Sequence, residues 1–132
     1  MVRAYLDELR TIVKAVQATN DPAFGATGAR LAEAVDSLDR ATTWLLSKIE
    51  KEPQAALAGA TPYLRLFGNA AGGCMLADEA LAALRIAGAE PASRVAIARF
   101  FAENIAVQAS GLERIVIEGA DSVNAADAAL TA

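Results

Sequence analysis

The side chains able to perform acid–base or nucleophilic chemistry are few and scattered. Two carboxylate pairs stand out, Asp36 with Asp39 and the adjacent Asp78 and Glu79. Paired carboxylates can divide general acid and base roles when their surroundings push their pKa values apart. Each pair here has arginine or polar residues close in sequence and reads as a surface position, so neither is assigned catalysis. Cys74 reacts as a nucleophile only as a thiolate, and no lysine or histidine lies near it in sequence to favour one. It stands between glycine and methionine in an apolar run, which suits a small buried hydrophobe. The 132 residues include no histidine. That removes triads with a histidine base, histidine-bound haem, most zinc sites and the Glu-x-x-His di-iron pattern of helical bundles.

The run Gly68-Asn69-Ala70-Ala71-Gly72-Gly73 is not a phosphate loop. It lacks the GxGxxG spacing, follows no strand and lies within a helical pattern. Glycine costs roughly 1 kcal/mol against alanine inside a helix, so three of them here predict the close approach of another backbone. Gly68 and Gly72, four apart, share one side of the helix. They predict either a tight crossing within the chain or a contact with another domain or subunit. Leu64, Phe67, Gly68, Gly72, Gly73 and Phe101 are the candidate contact residues. Arg65 and Asn69 form a polar stripe on the same segment, facing solvent or pairing with a carboxylate elsewhere.

Four helical segments position these residues. The first covers about Met1 to Ala18, with Tyr5, Leu6, Leu9, Ile12, Val13 and Val16 on one face. It starts with no capping residue ahead of it, which suggests a cut from a longer protein or a native start. Asp21 as N-cap and Pro22 at the first helical position open the second, although Gly25 and Gly28 weaken its first turns. Its seam is Leu31, Val35, Leu38, Thr42, Leu45 and Ile49. Pro53 to Ala60 forms either a short helix or the start of a long one kinked at Pro62, and the third helix then runs to about Ala87, before Gly88. Pro91 opens the fourth, with seam Ala98, Phe101, Ile105, Gln108, Leu112 and Ile115, and outer pairs Arg99–Glu103 and Arg114–Glu118. Gly119 ends it, and the remainder is a short helix or a tail. These segments predict an all-α fold, an antiparallel up-down-up-down four-helix bundle, in one domain over 1–132.

Composition agrees. Alanine dominates and FWY make up only 5%, which favours helix. The 12 basic and 16 acidic residues give a net charge of −4 with no basic cluster, so nucleic acid is not an expected partner. No stretch reaches 18 uncharged apolar residues, so no membrane span is expected. The charged N-terminus does not read as a signal peptide. A single cysteine fits a reducing, cytoplasmic setting.

The run from Ala58 to Ala77, densest from Pro62 to Leu76, resembles the C-terminal domain of a bacterial branch of the acyl-CoA dehydrogenases that includes methylthiopropionyl-CoA dehydrogenases. Ala98-Arg-Phe-Phe-Ala-Glu-Asn, Glu118-Gly-Ala-Asp-Ser-Val, Asp21-Pro22 and Thr43-Trp44-Leu45-Leu46 are also similar, so the resemblance covers the chain from about Asp21. Cys74 departs from it, since a bulkier residue is usual there. The resemblance implies a long FAD-dependent parent oxidoreductase whose flavin site and catalytic glutamate lie in preceding domains. It carries no catalytic, cofactor-binding or metal residue onto this chain. The implied role is packing on the dehydrogenase body of the same polypeptide or on a neighbouring subunit of a homo-oligomer. The alternative is a small-ligand-binding bundle that contributes to an acyl or CoA channel lined by Leu66, Ala70 and Cys74.

Overall fold

Prolines and glycines set most element boundaries. In the computed structural model, which describes residues 1–132, the chain is all-α. Helix α1 spans Val2–Ala18, α2 Thr27–Lys48, α3 Pro53–Ala58, α4 Ala60–Arg85, α5 Pro91–Asn104, α6 Ala109–Glu118 and α7 Ala120–Thr131. Short 3-10 turns occupy Pro22–Phe24 and Ala106–Gln108. Pro53 and Pro91 sit in the first turns of α3 and α5, where the missing N–H would have no intrahelical partner. Pro62 lies in the first turn of α4 for the same reason, so α3 is a separate short helix.

Two boundaries differ from the expectation. The Asp21 carboxylate accepts the Ala23 N–H at 2.9 Å, but what it caps is the three-residue turn Pro22–Phe24. Gly25, at φ +52°, then redirects the chain before α2 begins at Thr27. The expected fourth helix is also two helices. The tighter 3-10 turn at Ala106–Gln108 changes which residues face inward. Ala98 and Ala102 are buried before it, and Ala109, Leu112 and Val116 after it, while Gln108 and Ile115 of the expected seam face solvent. Asn69 ties this break to α4 by donating to the Ile105 carbonyl at 3.3 Å.

The core is built from Leu6, Leu9, Val13 and Val16 on α1 with Leu31, Val35 and Leu38 on α2. Leu66, Ala70 and Cys74 on α4 and Val116 on α6 complete its centre. Many of the fully buried positions are alanines, among them Ala34, Ala41, Ala70, Ala77, Ala98 and Ala102. Their small side chains bring helix axes close together at native packing density. Polar links fasten the helices at the rim. Arg10 donates to Asp36 at 2.6 Å and to Asp39 at 2.8 Å, and Arg3 bonds Asp39 and Thr43. The Arg40 guanidinium grips Glu113 with two bonds of 2.9 Å, joining α2 to α6. Of α7, only Ala120 is buried.

Candidate functional site

Helix α4 packs on α1, α2, α5 and α6, so most of its circumference is enclosed. Its three glycines occupy different surroundings. A methyl group on Gly73 would lie 2.5 Å from Leu31 Cδ2 and 3.4 Å from Phe101 Cδ1. One on Gly72 would meet Phe101 Cζ at 3.5 Å, an ordinary contact. One on Gly68 would meet nothing within 4 Å. The close approach in this chain is therefore at Gly73, and what approaches is not another backbone, as expected, but the side chains of Leu31 and Phe101. Gly68 takes part in no crossing between helices of this chain.

The other candidate contact residues divide the same way. Phe67 is half-buried and stacks on Tyr5 of α1, with centroids 5.6 Å apart and planes 7° from parallel. Phe101 is half-buried against the glycines. Leu64 is 70% exposed. The structure thus brings Phe67, Gly72, Gly73 and Phe101 into internal contacts, and leaves Leu64 and Gly68 on the surface.

Three of the four paired carboxylates are engaged structurally. Asp36 and Asp39 accept from Arg10, whose hydrogen bond, with help from Arg3, holds the Asp39 carboxyl below its ordinary value despite partial burial. Glu79 pairs with Arg94. Glu103 pairs with Arg99, as the sequence suggests, and also accepts the Ala26 N–H at 2.9 Å. That second bond fastens α5 to the start of α2 across 77 residues, which no local pattern signals. Arg114 forms no ion pair with Glu118, and Arg65 pairs with no carboxylate of this chain. No group of three or more histidine, cysteine, aspartate or glutamate side chains is arranged to hold a metal ion. No helix is long and apolar enough to cross a membrane.

Cys74 is fully buried, and burial pushes its thiol up to about 12, with Asp78 adding to the rise. Its sulfur lies 4.0 Å from the Leu9 carbonyl. Leu66 and Ala70 are fully buried beside it, and none of the larger clefts is lined by any of the three. An acyl channel along these residues has no room.

Neither the glycine run nor the cleft beside Trp44 suits a flavin dinucleotide. The segment Gly68–Gly73 keeps its backbone N–H groups inside helix α4, so it cannot cradle a pyrophosphate. A cleft of about 490 Å³ beside Trp44 presents Glu52, Glu118 and Asp121 with only Lys48 to balance them, which repels phosphate. One further surface feature is an apolar groove of about 450 Å³ where α2, α3 and the first turns of α4 meet.

The family described as acetyl-CoA dehydrogenase C-terminal like matches residues 5–127. No curated protein and no solved structure matches the chain significantly. The match spans almost every residue of the helical core just described, and the chain belongs to the acetyl-CoA dehydrogenase C-terminal-like family.

Proposed function

We propose that this chain is the non-catalytic C-terminal helical domain of an FAD-dependent acyl-CoA dehydrogenase, a cytoplasmic bacterial enzyme of the methylthiopropionyl-CoA dehydrogenase-like branch. Its role is packing and contact between domains or subunits of that parent oxidoreductase. The family match over residues 5–127 carries the reading. Flavin and acyl-CoA chemistry belong to the preceding body of the polypeptide.

In this reading α1, α2, α4 and the α5–α6 pair form an antiparallel up-down-up-down bundle, with α3 and α7 outside it. Contacts whose numbers rise along one helix as they fall along its partner support that arrangement. Arg3 meets Asp39 where Arg10 meets Asp36. Thr42 meets Tyr63 where Leu31 meets Gly73. Asn69 meets Ile105 where Glu79 meets Arg94. Phe67, Gly72, Gly73 and Phe101 hold α4 in place from within, and Leu64 and Gly68 face the body or a neighbouring subunit.

Calorimetry on the isolated chain and on the full-length polypeptide tests this. The full-length protein should carry FAD, and the isolated chain should give no heat with FAD or an acyl-CoA. Micromolar binding of either by the isolated chain overturns the non-catalytic reading.

A further inference from the structure

The apolar groove lies where α2 ends and α4 begins, and its walls come from Ile49, Pro53, Leu57, Ala60, Tyr63 and Leu64. Leu57 and Ile49 are 67% and 59% exposed, close to the value for Leu64. Apolar residues scattered singly on a surface need no explanation, but three large aliphatic side chains around one groove mark a contact site. The groove also continues a core stripe. Leu31, Val35, Leu38 and Thr42 of the α2 seam are buried, Leu45 is half-buried, and Ile49 emerges without a partner. The one polar atom of the wall is already satisfied, because the Tyr63 hydroxyl lies 2.8 Å from that of Thr42. The occupant must therefore be apolar.

Position identifies which apolar partner. Arg3 bonds Asp39 and Thr43, less than two turns before Ile49 of the groove wall. Tyr5 stacks on Phe67, and Phe67 meets Tyr63, a wall of the groove, with centroids 6.4 Å apart. The groove and the start of α1 thus share one end of the domain. In an enzyme whose C-terminal domain this is, the preceding body leads into α1 and so emerges at that end. Ile97 and Phe100, the exposed apolar pair on α5, lie between the Arg94–Glu79 and Phe101–Gly73 contacts, away from that end.

We propose that the groove between α2, α3 and α4 seats the dehydrogenase body of the same polypeptide, through one apolar face of a helix of that body. The inference rests on the C-terminal-domain reading above. Removing one large aliphatic contact from such a seat weakens docking by about tenfold or more.

Hydrogen exchange of the full-length polypeptide against the isolated chain tests it, with the double variant Ile49→Glu/Leu57→Glu and the control Ile97→Glu. Peptides covering residues 45–64 should exchange about tenfold more slowly in the full-length protein. That protection should vanish in the double variant and persist in the control. Both substituted positions are exposed, and the wild-type comparison decides even if the double variant misfolds. Equal exchange in a full-length protein that holds FAD and oxidises acyl-CoA overturns the groove assignment and leaves the domain reading intact. A full-length protein without flavin or dehydrogenase activity overturns both. Concentration-dependent dimerisation of the isolated chain that the double variant abolishes assigns the groove to a second copy and overturns the proposal. Protection of the same peptides in the isolated chain by decanoate assigns it to an acyl chain, with the same consequence.

Discussion

Gly73 faces Leu31 so closely that a methyl group added to it would lie 2.5 Å from Leu31 Cδ2. Leu31 is fully buried, and Phe101 flanks the same position, so the leucine cannot swing aside freely. Gly73→Ala therefore sets an overpacking cost of 1–3 kcal/mol against a helix-propensity gain of about 1 kcal/mol. The expected net effect is a loss of about 1 kcal/mol in urea unfolding. Gly68→Ala, with open space around it, should instead gain about 1 kcal/mol. Leu31→Val removes the offending methyl group and should reduce the cost of Gly73→Ala in a double-mutant cycle. Equal stabilities for the two alanine variants would disprove the close contact.

The contrast between these glycines shows what the sequence could and could not convey. Helical class and the starts at Pro53 and Pro91 were legible because proline fixes φ and lacks a donor, which are local properties. The first part of the α2 seam was legible because Leu31, Val35, Leu38 and Thr42 keep the spacing of one face. The glycine face was not. Helix α4 is enclosed on several sides, so apolar residues surround it and periodicity does not single out Gly73 over Gly68. The break at Ala106–Gln108 was equally hidden, since it contains no glycine or proline and its apolar spacing runs on. The Glu103–Ala26 bond depends on tertiary placement alone. For the surface groove, Ile49 read as a core seam residue because nothing local marks the end of its partner helix.

Cys74 should be inert in the folded protein. Its thiol is fully buried and pushed up to about 12, so almost no thiolate exists near neutral pH and no reagent reaches it. Iodoacetamide should label it only in denaturant, or at a rate set by unfolding under native conditions. Rapid labelling of the native chain would contradict the packed centre of α4. Cys74→Ser should cost about 1–3 kcal/mol, because it puts a polar hydroxyl in place of a sulfur packed in the apolar core.

Gly25 is the second glycine under constraint, for a different reason. It sits at φ +52°, and a methyl group on it would lie 2.4 Å from Arg99 Nε and 2.6 Å from Glu103 Oε1. Alanine there must accept a positive-φ backbone (φ +52°, ψ −128°) that side chains disfavour, and displace the pair that fastens α5 to α2. We expect Gly25→Ala to cost about 1–3 kcal/mol. The amide of Ala26, whose N–H goes to Glu103, should lose protection in hydrogen exchange. Unchanged protection at Ala26 would show that the loop does not depend on this bond.

Stability should fall in acid partly through Glu113. Two hydrogen bonds from Arg40 lower its carboxyl below the ordinary 4.5, opposed by burial and aided by the Ser37 hydroxyl. The folded state therefore binds this proton less readily than the unfolded chain does. The contribution is complete above the unfolded value near 4.5 and is lost as pH falls through the lower folded value. Arg40 is largely exposed, so solvent screening keeps the pair to about 1 kcal/mol at most. Glu113→Gln should destabilise the chain by that amount at about pH 7 and by almost nothing at about pH 3. Asp39, lowered in the same way by Arg10, should preserve part of the acid loss in that variant. Thermal melts of both proteins across that range measure the difference, and a gap independent of pH would place the role of Glu113 in packing instead of charge.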